Sequence, residues 1–340
     1  MFEGFAGNRV VRDALQRIVE RDQIPHTLLF HGASGVGKAT LARRLAAELL
    51  GDPEKVESDD LSLPHNQEVI AEREKWPAEK RVEDPLLFAS HPDFITFPPD
   101  GPLQQISIQQ MRLLKERARY KPLKGRRRVF LIDHLDRANE QAANSLLKTL
   151  EEPPDHLLLV LTAENVFDLL PTIRSRSVQF HLSPLSMTEM EEFVRARGLD
   201  QPERRVALAN GSPGAAVSID LGAYDRRRDA MLSLLGAAAR RRRFSDWAQH
   251  AEKLSAQRGE KLDACLPVLY QLLEDLLLVV EGWPEIRNSD IRSEIESLAA
   301  AVNYEWVRAA VKRVDELAQM ARRNIQKSIA LDAMVAELRG

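Results

Sequence analysis

The residues with the clearest chemical purpose are Gly32-Ala33-Ser34-Gly35-Val36-Gly37-Lys38. The pattern Gly-x-x-x-x-Gly-Lys supplies backbone N–H groups that converge on an anion, the positive end of a following helix, and one ammonium. That combination suits the phosphates of a nucleotide. Hydrolysis asks for more, because a Ser or Thr hydroxyl directly after the lysine helps to hold Mg²⁺. Here that position is Ala39, which has no oxygen to offer. Thr40 follows, but one helical step turns its side chain by about 100° from the ligand direction. Gly32, Ser34, Gly35, Val36, Gly37, Lys38, Ala39 and Thr40 thus form a candidate site for ATP or ADP, with Mg²⁺ held weakly or not at all.

A second acidic element belongs on a neighbouring strand, and Val129-Phe130-Leu131-Ile132-Asp133 supplies it. Asp133 stands where an aspartate would hold Mg²⁺, directly or through water. The next residue should be the glutamate that orients an attacking water, and it is His134. An imidazole can serve as a base, but it does not reproduce the carboxylate. Asp136 reads as a solvated loop charge.

Such a loop needs a strand before it and a helix after it. Residues 26–31 read as a short buried strand, and Leu41, Leu45 and Leu49 place a helix behind the loop. Ahead of them, residues 8–22 predict a helix capped by Asn8, with Val11, Leu15, Ile18 and Val19 on one face. Residues 51–90 are charged and proline-punctuated, and predict a partly helical surface insertion. A strand follows at Phe94-Ile95-Thr96-Phe97, and Ser107 with Gln110 forms a capping-box pattern for a helix to about Tyr120. Residues 128–133 give a third strand, a helix carries Ala143, Leu146, Leu147 and Leu150 on one face, and residues 157–162 give a fourth strand. Alternation of this kind predicts an α/β domain with a parallel sheet covered on both sides. Strand signals stop near Ser183. The expected organisation is an α/β nucleotide-binding domain (1–182), a small helical lid (183–222) around Gly211-Ser212-Pro213-Gly214, and an all-helical C-terminal domain (223–340). Within the last, residues 266–280, 304–320 and 324–338 read as helices, the final one with Ile325, Ile329, Leu331, Met334, Val335 and Leu338 on an apolar face.

The net charge of −3 argues against a chain that grips DNA mainly by itself, since phosphate neutralisation supplies most of that affinity. Arg126-Arg127-Arg128 and Arg240-Arg241-Arg242-Arg243 read as solvated faces rather than phosphate contacts. No apolar run approaches the roughly 20 residues that cross a bilayer, and Met1-Phe2-Glu3-Gly4 does not open a signal peptide. A cytoplasmic protein without membrane contact is expected. The one cysteine, Cys265, excludes an internal disulfide and a multi-thiolate metal site, and among Leu262, Leu266 and Leu269 it reads as core.

Several segments carry a family resemblance: Phe5-Ala6-Gly7-Asn8, Ile24-Pro25-His26, His91-Pro92-Asp93-Phe94 and, most specifically, Ala143-Asn144-Ser145-Leu146-Leu147-Lys148-Thr149-Leu150-Glu151-Glu152-Pro153-Pro154. Over residues 2–220 the chain resembles the AAA+ clamp-loader family. The resemblance implies a P-loop AAA+ domain, a lid and a helical collar. It places Asp133 in a degenerate Walker B element and Thr162 at the sensor 1 position. Thr172-Ile173-Arg174-Ser175-Arg176-Ser177 is similar to the segment that gives an arginine finger to a neighbouring subunit, with Arg176 favoured over Arg174 by its place in the motif. Gly214 stands where motor subunits carry the lid's sensor arginine. Weak hydrolytic equipment beside an intact finger resembles the stator, or delta-prime, type of subunit. Its implied partners are the tau/gamma and delta subunits, the sliding clamp, and primed DNA reached through the assembled complex. The alternative is a self-sufficient AAA+ motor, of tau/gamma or helicase-loader type. Many relatives carry a four-cysteine zinc module where residues 51–90 have no cysteine, so zinc is not expected.

Overall fold

The structure, a computed structural model, describes residues 2–256, 264–321 and 327–339. Five strands, β1 (Thr27–His31), β2 (Phe94–Phe97), β3 (Arg128–Ile132), β4 (Leu157–Ala163) and β5 (Val178–His181), form one parallel sheet in the order β2-β3-β4-β1-β5. Side chains alternate across a strand, so each buried strand feeds two cores. Leu29, Phe97, Phe130 and Leu159 face the helices Ile108–Arg117 and Glu140–Glu151. Leu28, Phe30, Phe94, Leu131 and Val160 face the helices Arg9–Glu20 and Lys38–Leu50. β1 to β4 are apolar almost throughout because both of their faces are covered.

Two ends differ from expectation. Asn8 adopts a left-handed conformation, φ 49°, and makes no side-chain cap. Its amide instead exchanges two hydrogen bonds with the Ser183 backbone, at 3.0 and 2.9 Å, and ties the start of the chain to the segment after β5. The Ser107–Gln110 capping box forms as expected, but its helix ends at Arg117. β5 escapes the sequence reading because it is a four-residue edge strand with three exposed positions and no two-sided burial to mark it.

Residues 51–90 contain the short helices Pro53–Glu57, Pro64–Arg73 and Ala78–Glu83. What fastens them is electrostatic. Arg43, buried in the helix behind the glycine loop, pairs with Glu57 at 3.0 Å and with Asp60. Arg73, also buried, makes a bidentate pair with Asp100 at 3.1 and 2.7 Å and a further contact with Asp84. Asn66 donates to the Ser58 and Asp60 carbonyls, and the buried Asp59 accepts the Ser90 N–H at 2.9 Å. Burial pushes the Asp59 carboxyl up, against the pull of that hydrogen bond and of Arg43.

The chain divides into two compact units, residues 1–202 with 209–217 and residues 203–208 with 218–340. The second unit is helical: Leu221–Ala238, Phe244–Ala256, Leu266–Val280, Arg292–Ala299, Tyr304–Ala321 and Lys327–Arg339. Its core holds Met231, Leu235, Trp247, Cys265, Leu269, Leu272, Met334 and Val335. Leu262, Asn324 and Ile325 lie outside the described residues, and Ile329 is exposed rather than on the apolar face. The run Arg240-Arg241-Arg242-Arg243 is exposed as expected, but Arg126-Arg127-Arg128 is not a plain solvated face. Arg128 is buried and donates to the Arg117 and Pro92 carbonyls, and Arg127 pairs with Asp22. The backbone N–H groups of Arg241 and Arg242 both return to the Gly236 carbonyl and close the helix Leu221–Ala238.

Removing one partner of a buried ion pair leaves the other desolvated and unpaired, at a cost of about 3–5 kcal/mol. Arg73→Ala should therefore lower the free energy of unfolding by an amount of that order, and with it the urea midpoint, because the Asp100 side chain is only 7% exposed. Equilibrium denaturation followed by circular dichroism checks it; an unchanged midpoint would show that the insertion is held by other contacts.

Candidate functional site

The glycine loop leaves the C-terminal end of β1, and Lys38 opens the helix behind it. Gly37 takes φ 100° before that helix starts, a conformation open to glycine and strained for other residues. The Lys38 ammonium turns back on its own loop, donating to the carbonyls of Gly32 at 2.7 Å and Ala33 at 2.8 Å. Burial lowers its pKa, while Glu164, Asp133 and Asp136 act in the opposite sense. At the foot of the loop, His31 and His181 bring their Nδ1 atoms to 3.4 Å. Burial pushes the His31 imidazole pKa down, and the neighbouring His181 and Lys38 add to the shift.

β4 lies between β1 and β3, so Thr162 sits beside the glycine loop on one side and Asp133 on the other. Its buried hydroxyl donates to Asp133 Oδ1 at 2.5 Å and accepts the His134 N–H at 2.8 Å. His134 is held at φ 56°, and its Nδ1 lies 3.7 Å from Glu164 and 4.0 Å from Asp136. Asp136 is not a free loop charge: its side chain is 11% exposed and accepts the Glu164 N–H at 3.2 Å. Glu164 is a member of this cluster that sequence reasoning missed, two positions beyond Thr162 at the start of a loop. For Mg²⁺ the fit is poor. Ala39 brings no hydroxyl, and the Thr162 hydroxyl is committed to Asp133. For phosphate the loop N–H groups and Lys38 remain suited, provided the ammonium exchanges its carbonyl partners for the ligand.

The segment 209–217 covers the loop. Ser212 Oγ donates to the Ser34 carbonyl at 3.1 Å, and the Gly214 N–H donates to the Gly35 carbonyl at 2.9 Å. Two glycines make this approach possible. A Cβ on Gly35 would stand 2.3 Å from Ser212 Oγ, and one on Gly214 would stand 2.9 Å from the Gly35 oxygen and 3.0 Å from its Cα. Any side chain at position 214 would therefore crowd the backbone of the loop. Ser212 was not singled out from the sequence; its position between Gly211 and Pro213 was the available signal.

The two candidate finger arginines are sorted by their surroundings. Arg174 lies with its guanidinium 5.4 Å from the Phe167 ring centre. Arg176 donates to the Thr172 carbonyl at 3.1 Å, to Ser175 Oγ at 3.4 Å and to Glu151 at 2.9 Å, with about a third of its side chain exposed.

A parallel sheet in the order β2-β3-β4-β1-β5, with a glycine loop after β1, an acid after β3 and a hydroxyl near the end of β4, defines a P-loop domain of the AAA+ type. The chain belongs more narrowly to the family described as DNA polymerase III, delta subunit, whose model matches residues 7–186, just over half of its length. It is 30% identical over 218 residues to the delta' subunit of DNA polymerase III from Bacillus subtilis, covering 63% of this chain and 59% of that protein. It is also 30% identical over 194 residues to the gamma subunit from Buchnera aphidicola, covering 57% and 48%. The chain spans about half the length of such relatives. A gamma subunit-related protein from Thermotoga maritima shares the fold, with a TM-score of 0.51 at 18% identity over 96% of this chain and 98% of that one.

Overpacking a tight backbone contact costs about 1–3 kcal/mol. Gly214→Ala should destabilise the first unit by that order and loosen the cover over the loop. The check is a lower thermal midpoint together with faster proteolysis within 209–217; an unchanged rate would mean that the contact is dispensable.

Proposed function

We propose that this chain is the delta-prime, or stator, subunit of a clamp loader, working with tau/gamma and delta subunits to place a sliding clamp on primed DNA. The observation that carries this reading is an asymmetry within one domain. The hydrolytic side of the site is stripped, with Ala39 for the magnesium hydroxyl, His134 for the catalytic acid and Gly214 for the sensor arginine. The outward side keeps Arg176, held at the surface by three hydrogen bonds. Membership of the family, and similarity to proteins named delta', gamma and tau, support a clamp-loader subunit in general. The stripped site favours the stator among them.

In this reading the chain can bind ATP or ADP, holds Mg²⁺ weakly or not at all and turns over little by itself, and Arg176 reaches the nucleotide of an adjacent motor subunit. A guanidinium brought in trans stabilises the charge that spreads over the transferring phosphoryl group, worth ~10³–10⁵ in rate at the site it serves. Its planar fork is the better match to phosphate than an ammonium. The helices of the second unit serve as the collar through which subunits assemble. The competing reading, a self-sufficient motor, draws on the gamma and tau relatives, which match over a similar stretch.

One set of assays separates the two. Arg176→Ala should reduce DNA-stimulated ATP turnover of the reconstituted complex while gel filtration shows intact assembly, and the isolated chain with Mg²⁺ and primed DNA should hydrolyse no more than background. Robust turnover by the isolated chain would establish the motor instead; unchanged turnover of the Arg176→Ala complex would remove the finger.

A further inference from the structure

Resting on the reading of Arg176 as a finger, we infer that Glu151 is its positioning residue, a carboxylate that fixes the guanidinium before a neighbour's phosphate arrives. The problem it solves is one of freedom. Arg176 follows a helix of only four residues, Pro171–Arg174, and a long side chain so placed samples many rotamers. A finger that must first be found and frozen acts slowly, because a misplacement of about 1 Å at a reacting centre can cost on the order of 10² in rate.

Glu151 is suited to the task by its platform. It ends the helix Glu140–Glu151, whose Ala142, Leu146 and Leu150 are buried in the sheet's core, so its backbone is fixed by the fold. From there Oε1 accepts a hydrogen bond from Arg176 Nη2 at 2.9 Å. The other side of the fork is satisfied locally, Nη1 donating to the Thr172 carbonyl at 3.1 Å and to Ser175 Oγ at 3.4 Å. A guanidinium has five N–H donors. These three bonds hold it from two directions and leave Nε and one hydrogen of Nη2 for an incoming phosphoryl oxygen.

Stability does not explain the pair. Both side chains are substantially exposed, 35% for Arg176 and 51% for Glu151, and exposed ion pairs contribute little to folding. The pair also discriminates between the two arginines: the carboxylate holds Arg176, and Arg174 lies over Phe167. The Glu151 carboxylate and the phosphoryl group share one guanidinium without competing for the same donors.

The test uses the reconstituted complex of the full chain with tau/gamma, delta, clamp and primed DNA. Glu151→Ala should lower kcat for DNA-stimulated ATP hydrolysis by about five- to tenfold and leave KM for ATP within about twofold. Glu151→Gln keeps an accepting oxygen and should restore most of the rate. In an Arg176→Ala background, Glu151→Ala should change nothing further. Loss of turnover in Arg176→Ala with full turnover in Glu151→Ala would overturn the inference and leave the finger intact. A further loss in the double variant, or a Glu151→Gln complex as slow as Glu151→Ala, would overturn it by showing that Glu151 acts through assembly or charge. Full turnover in Arg176→Ala would remove both the finger and its positioning residue.

Discussion

Because all five strands run the same way, their C-terminal ends lie along one edge of the sheet, and the order β2-β3-β4-β1-β5 decides which residues meet there. β4 separates β1 from β3, so a hydroxyl at Thr162 is the natural bridge between the glycine loop and Asp133. Parallel strands need long crossovers, and the helices Lys38–Leu50, Ile108–Arg117 and Glu140–Glu151 within them cover the two faces of the sheet. The glycine loop, the acidic residues and the lysine depend on this constraint. They are brought together by the sheet, not by proximity in sequence.

Given that edge, the local chemistry has settled into internal partnerships. Lys38 donates to the Gly32 and Ala33 carbonyls, Thr162 to Asp133, and the His134 N–H to Thr162. The Ser34 and Gly35 carbonyls receive Ser212 and Gly214. Buried polar groups cost free energy unless they are paired; these groups find partners within the protein, whereas His134 Nδ1 and Asp136 Oδ1 in the same cluster do not.

The fold was legible where period and punctuation agree. The strand, Gly-x-x-x-x-Gly-Lys and helix succession is local, as is the Ser107–Gln110 box, and both stand where the sequence puts them. What stayed hidden depends on contacts distant in sequence. Asn8 reads as a cap, yet it bonds to Ser183 across 175 positions. Arg128 reads as one of three solvated arginines, yet it is buried among the Pro92 and Arg117 carbonyls. Glu164 and Ser212 join the site only because β4 and the segment 209–217 bring them there. β5 carries Gln179 and His181 at exposed positions of an edge, where no alternation is demanded.

The segment 51–90 shows how buried ion pairs can fasten a stretch of short helices. Closing a loop of some forty residues carries an entropic cost that grows only slowly with length, so a few well-placed contacts suffice. Arg43 and Arg73 provide them by reaching from helices into carboxylates: Glu57 and Asp60 near the start of the segment, Asp84 near its end, and Asp100 beyond β2. Each guanidinium is almost fully buried and faces two carboxylates, which offsets the desolvation that makes isolated buried charges so costly. Arg43 also belongs to the helix that begins at Lys38, so the start of the insertion is braced against the same helix that supports the phosphate loop. The position of that helix, and with it the mouth of the loop, is therefore set from the sheet on one side and from the insertion on the other.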